Sequence, residues 1–343
     1  MSRRLPAEFE RQSFVQLIFP HTETDWAPYL QEASETFVEI AEAIARFEMC
    51  LIVCDDVDRV RAYFKATKNL CFVQAESDDT WARDCSVITV LEEEKPMVID
   101  FTFTGWGDKF DAVRDNALSS ELRHHYGARY HREHLVLEGG AIESNGAGLL
   151  LTTVNCLMNP NRNHKLTKRI DIESILKEVL GIEKVLWLEH GYLEGDDTDS
   201  HIDTLARFVD AETIVYLQCK DRDDVHFEAL SAMEKELKAL KDLDGNAFRL
   251  VPLPMTEPIY FEGERLPATY ANFLIINGAV LIPTYNDPHD DEALSIFKRL
   301  FSDREVIAID CSVLIRQHGS LHCVTMQFPE AVTLKVTSDP EKH

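Results

Sequence analysis

A strand, a tight turn, a second strand, an amphipathic helix and a closing strand recur along this chain with a period of about 65 residues, the signature of a repeat architecture. No single motif constrains the fold as much. The first pass has strands over 85–91 and 97–103 about a turn at 92–96, a helix over 111–126 and a strand over 134–137. The second turns at Asn145-Gly146-Ala147-Gly148 into 149–153. Its helix carries Ile170, Ile172, Ile175, Leu176, Val179 and Leu180 at helical spacing and stops at Gly181, before a strand over 184–188. A third pass covers 204–209, 213–218, a helix over 223–241 and 248–253. A fourth covers 271–276, a turn at Asn277-Gly278, 279–284, a helix over 290–301 and 305–309. A fifth is shared between the chain ends, with 323–328 joining 14–19, a helix over 26–47 and 50–54. These units predict an α/β protein of radial repetition, folded as a single domain over 1–343. Asp84, Gly140, Asp203 and Ala271 each immediately precede the first hairpin strand of a unit, so equivalent loops are expected to converge on one face.

Charge narrows what the chain binds. Lys and Arg number 35 against 60 Asp and Glu, a formal charge of -25, which disfavours nucleic acid and anionic membrane as partners. Such a field suits a cationic small molecule. No run approaches the roughly 20 apolar residues that span a bilayer, and Arg3-Arg4 is followed by no apolar stretch of a signal peptide. Cysteines 50, 54, 71, 85, 156, 219, 311 and 323 lie mostly in apolar runs, without zinc-ligand spacing or the density of a disulfide scaffold. Reduced thiols and a cytoplasmic location follow as expectations. No metal or organic cofactor is called for, and a homo-oligomer is compatible with the sequence.

Four short polar groups stand out. Trp81 and Asp84 are three apart on a loop, where an indole can stack on a planar cation while a carboxylate grips its N–H groups. Glu138 precedes Gly139-Gly140, whose missing side chains permit close approach of a ligand. His201 and Asp203, read as extended chain, share one face, and a histidine among carboxylates is expected to hold its proton more tightly and to donate it to a leaving amine. Cys323 follows a glycine-containing loop and opens an apolar strand; a cysteine beside a histidine can be held as thiolate. A thiol, an imidazole and several carboxylates form the inventory for binding a guanidinium and attacking its carbon.

The strings Trp81-Ala-Arg-Asp84, Glu138-Gly-Gly-Ala-Ile-Glu-Ser-Asn-Gly146, the stretch from Leu151 to Asn163, Gly195-Asp-Asp-Thr-Asp-Ser-His-Ile-Asp203 and His322-Cys323 together resemble the agmatine deiminases and bacterial-type peptidyl-arginine deiminases, in the same order over nearly the whole chain. The resemblance implies a five-bladed pseudo-symmetric α/β propeller. It implies Cys323 as nucleophile, His201 as acid/base, Glu138 as its orienting partner, Asp84 and Asp203 as the guanidinium clamp, and Trp81 as pocket wall. Agmatine, cationic at both ends, is the substrate the acidic character favours; the product would be N-carbamoylputrescine. Free or peptidyl arginine, amidino transfer to an amine, and a non-catalytic guanidino- or protein-binding propeller are the alternatives. The chain departs from the family in Cys85-Ser-Val, where Gly-Pro is usual, in Ser200, where glycine usually precedes the histidine, and in the glycine-poor loop Gln317-His-Gly-Ser-Leu321.

Overall fold

The computed structural model describes residues 3–335. Five sheets repeat one pattern, in which an antiparallel strand pair is extended by a parallel strand reached through a helix. Leu149–Thr153 pairs antiparallel with Glu143–Ser144 and parallel with Lys184–Leu188; Thr213–Gln218 does the same with Ala206–Phe208 and Arg249–Pro254. Ala279–Thr284 lies between Leu274–Ile276 and Glu305–Asp310, and Lys95–Thr102 between Ile88–Glu92 and Arg129–Val136. The fifth sheet joins the chain ends, with Gln12–Ile18 between Thr325–Pro329 and Met49–Cys54, and Leu70–Gln74 beyond. Three sheets share one register, Leu149 opposite Lys184, Thr213 opposite Arg249 and Ala279 opposite Glu305 at the first residue of each parallel pair. The fold is mixed α/β, with all five predicted units present.

Each connecting helix exists because one stripe of it is apolar. In Leu30–Ala45, Ala33, Phe37, Ile40, Ala41 and Ile44 fall on one face and are fully buried. Arg169–Leu180 ends as the sequence predicts, with Gly181 left-handed at φ 71° and its N–H donating to the Lys177 carbonyl at 3.1 Å. The turn between Glu92 and Lys95 is less ordinary. Glu93 and Glu94 both take positive φ, a conformation chosen to match strand twist even though neither is glycine.

The structure corrects the predicted entry into each hairpin. Residues 82–85 form a helical turn, and the strand starts only at Ile88; Gly139–Ala141 and Ile202–Thr204 are likewise single 3-10 turns. His201 and Asp203 therefore do not lie on extended chain. A helical turn here draws its backbone donors onto nearby carbonyls, as in Thr204 N–H to the His201 carbonyl, and swings its side chains toward the convergence point. Among the described residues, no helix is long and apolar enough to cross a membrane. All eight cysteines are free and buried.

Candidate active site

The helical turns bring their side chains together. The Cys323 Sγ lies 3.4 Å from Asn272 Oδ1 and 3.9 Å from Asp203 Oδ2. A Cβ placed on Gly140 would stand 2.6 Å from His201 Nδ1, 2.9 Å from Asp84 Oδ1 and 3.1 Å from Asp203 Oδ2. One point thus touches imidazole and both clamp carboxylates, and glycine is what keeps it empty. Backbone bonds lock the convergence: Arg83 N–H donates to the Cys323 carbonyl at 3.1 Å, and Gly140 N–H to Asp84 Oδ1 at 2.9 Å.

Every residue that the sequence singled out lies here. His201 is buried, with Nδ1 3.7 Å from Asp84 Oδ1 and Nε2 3.8 Å from Glu138 Oε2, both beyond hydrogen-bond reach. Neither ring nitrogen has a hydrogen-bond partner. Glu138 accepts from Arg162 Nε on both oxygens at 2.9 Å, while Arg162 also reaches Asp199 Oδ2 at 2.7 Å and the Thr198 carbonyl at 2.8 Å. Asp199 and Ser200, immediately before the histidine, take φ 64° and 66°. Ser200 occupies a conformation that favours glycine, at a cost of about 1–2 kcal/mol; its N–H donates to Asp196 Oδ2 at 2.7 Å and its carbonyl accepts from Thr153 Oγ1 at 2.7 Å, which hold it there.

A cleft of about 520 Å³ opens over this cluster, with Cys323 and Asp84 in its wall. Trp81 lines it, its Nε1 donating to Asp79 Oδ2 at 2.9 Å and its ring packed so closely on Gly319 that a Cβ there would meet Cζ3 at 2.1 Å. Trp106 stands at 77° to Trp81, with ring centroids 6.3 Å apart. Glu23, Asp25, Asp78, Asp79, Asp111, Asp115 and Asp197 join Asp84 in the lining, and no lysine or arginine does.

The protonation pattern is unequal. Burial raises the Asp84 carboxyl, helped by Asp203 and Glu138, and its net position is above the usual range despite His201. Burial also opposes the charge on Asp203, but hydrogen bonding to His322 and the nearby cations hold it below the usual range. Burial works against a proton on His201, yet the nearby carboxylates of Asp84 and Glu138 raise it above an ordinary imidazole. The thiol is shifted the other way, toward its neutral form. Burial, then Asp203 and Asp84, push the Cys323 thiol well above its usual value, because its close neighbours are carboxylates rather than the imidazole.

Sequence reasoning missed several supporting groups. Trp106 Nε1 donates to Asp84 Oδ2 at 2.9 Å; its signal was a tryptophan between Gly105 and Gly107, with Trp106 itself at φ 57°. Arg162 sits inside the quoted 151–163 string and was given no role. Asn272, which accepts from His322 N–H at 2.9 Å and Cys323 N–H at 3.3 Å, follows Ala271 at the matching place in the fourth unit. Donor atoms of Glu138, Cys156 and His201 lie within 4.8 Å of one another, as a metal would need. The Arg162 guanidinium already takes both Glu138 oxygens and would repel a cation, so the trio does not fit one.

Fold and site define a predominantly acidic pocket of hydrolase type, with a buried thiol against a carboxylate and a buried imidazole between two more. The chain belongs to the Porphyromonas-type peptidyl-arginine deiminase family, whose sequence model matches residues 4–329. It is accordingly an enzyme of the deiminase class, hydrolysing C–N bonds of amidines. It is 31% identical to agmatine deiminase of Stutzerimonas stutzeri, covering 95% of each chain. Its structure superposes on C. jejuni agmatine deiminase with substrate bound at TM-score 0.90 and 36% identity, covering 98% of this chain and 97% of the other. It superposes at 0.93 on a Porphyromonas gingivalis structure provisionally described as arginine deiminase, at 51% identity, covering 96% and 99%.

Proposed function

We propose that the protein is an agmatine deiminase, converting agmatine and water to N-carbamoylputrescine and ammonia, a step toward putrescine. The observation that carries the substrate choice is the lining of the cleft: eight acidic residues and no lysine or arginine. A ligand cationic at both ends meets favourable charge throughout. The α-carboxylate of arginine would meet a predominantly acidic lining, in which Glu23 and Asp78 are paired with Arg114, and the 51% identical P. gingivalis neighbour keeps free or peptidyl arginine as the second reading.

The proposed chemistry begins with the guanidinium flat between Asp84 and Asp203, beside the Trp81 wall. Its positive charge beside Sγ favours loss of the thiol proton, reversing the effect of the carboxylates. Cys323 adds to the guanidinium carbon, and His201 gives its proton to the departing ammonia, leaving an S-alkyl thiouronium. Neutral His201 then takes a proton from water as the water adds to that carbon. Collapse breaks the C–S bond, releases the ureido product and restores the thiol. Glu138, clamped by Arg162, holds the imidazole's charge and heading. Positioning between two fixed carboxylates turns the attack into an effectively unimolecular event.

The five repeated sheets and their convergent entry turns support a five-bladed α/β propeller with one catalytic domain, its site near the pseudo-axis. The acidic surface and reduced thiols support a cytoplasmic setting. Ammonia release from agmatine, arginine and a blocked arginyl peptide, with Cys323→Ser as control, tests the proposal. Agmatine should be preferred and the variant inactive but folded. A more than tenfold preference for the peptide, or robust turnover by Cys323→Ser, would overturn it.

A further inference from the structure

His322, next to the proposed nucleophile, is buried and takes no part in the chemistry above. Its Nδ1 lies 2.7 Å from Asp203 Oδ2, and its Nε2 lies 2.7 Å from Glu8 Oε2. Carboxylate oxygens only accept, so the ring donates from both nitrogens. We infer that Glu8 and His322 form a buried carboxylate–imidazole–carboxylate relay that positions Asp203 for the guanidinium. The inference rests on the proposed function, which gives Asp203 contact with substrate.

Several observations favour a built relay over incidental packing. Glu8 is itself held: Oε1 accepts from Ile275 N–H at 2.8 Å, and Oε2 forms ion pairs with guanidinium nitrogens of Arg207 at 2.9 Å and Arg83 at 3.5 Å, neither aligned as a hydrogen bond. Arg207 pairs in turn with Glu143 at 2.8 Å and donates to the Phe273 carbonyl at 2.6 Å. Three buried carboxylates thus face two guanidiniums and a doubly donating imidazole, so removing the ring's contribution leaves buried negative charge uncompensated. The ring also fixes the Asp203 oxygen that faces the nucleophile, since Oδ2, 2.7 Å from Nδ1, is the one that lies 3.9 Å from Cys323 Sγ. Oδ2 is committed to the ring, while Oδ1 is buried without any partner. Asp84 is treated alike from its own side, with Trp106 and Gly140 each holding one oxygen. A carboxylate that would otherwise rotate is presented as a fixed acceptor, and misplacement by about 1 Å costs about a hundredfold in rate. Glu8 lies on the N-terminal segment and contacts the ring rather than the proposed substrate, so it is a positioning residue.

The test compares wild type with His322→Gln and Glu8→Gln, after thermal melting has shown each variant folded. With agmatine, His322→Gln should lower kcat/KM about a hundredfold and Glu8→Gln about tenfold. The acid limb of the kcat/KM profile should move to higher pH in His322→Gln, because Asp203 loses the partner that keeps it ionised, and in the same direction by less in Glu8→Gln, because the ring loses the carboxylate behind it. A merely structural role would not move that limb. Both variants within threefold of wild type, or an unmoved acid limb in folded variants, would overturn the relay. Wild type provides a check needing no variant: nitrogen NMR at neutral pH should show a proton on both His322 ring nitrogens, and a singly protonated ring would overturn the relay. If wild type releases ammonia from no guanidino compound, the proposed function fails instead, and the NMR result still judges the relay.

Discussion

Gly140 stands where the reaction is proposed to occur, and replacing it with alanine tests the site's geometry with one methyl group. Gly140 is not among the glycines with positive φ, so alanine brings no backbone strain there. Its Cβ would lie 2.6 Å from His201 Nδ1, 2.9 Å from Asp84 Oδ1 and 3.1 Å from Asp203 Oδ2, where ordinary contact begins near 3.4 Å. The imidazole must retreat by about 0.8 Å and the carboxylates by less. Displacements near 1 Å cost about a hundredfold in rate, which is about 2.7 kcal/mol of transition-state stabilisation. Overpacking should also cost about 1–3 kcal/mol of stability, visible as a melting point lower by a few degrees. The assay is ammonia release from agmatine, read as kcat/KM, beside a circular-dichroism melt. A folded Gly140→Ala protein within threefold of wild type would refute the view that chemistry takes place between these three groups.

Trp106→Phe keeps the ring but removes the donor to Asp84 Oδ2. A hydrogen bond to a charged group contributes about 1.5–3 kcal/mol, so kcat/KM should fall by about ten- to a hundredfold, mainly through KM; an unchanged KM would count against Asp84 as part of the clamp. The resting Cys323 thiol, raised well above 9, should show no thiolate absorbance up to pH 9 in difference spectra between wild type and Cys323→Ser, and a midpoint under 9 would contradict the charge argument. Glu48, away from the site, is pushed up from 4.5 to about 7 by burial, and its Oε1 has no hydrogen-bond partner. Because the folded state holds this proton more tightly than the unfolded chain, Glu48 favours folding below pH 4.5, and this contribution is lost as pH rises from 4.5 through about 7. The loss is about 3 kcal/mol at most, so Glu48→Gln should gain stability over wild type at pH 8 and lose that advantage at pH 4; equal differences at both would refute it.

The strand, turn and helix pattern was legible because hydrophobic periodicity is local. Thr213–Gln218, Ala279–Thr284 and Lys184–Leu188 fall at their predicted bounds, and Gly181 caps its helix. Trp81, Asp84, Glu138, His201, Asp203 and Cys323 were legible as candidates because polar and reactive residues stand beside apolar strands. The helical turns that carry several of them were not, since two or three residues have no period to read. Residue order alone thus determined the repeated units, the acidic character and the candidates for the reacting groups. Tertiary structure alone decided that Arg162 grips Glu138, that Trp106 and Gly140 hold Asp84, that Glu8 lies behind His322, and that the thiol faces carboxylates. Those relations join residues from 22 to 314 positions apart, and the shift of each ionisable group depends on burial and on neighbours that only folding supplies.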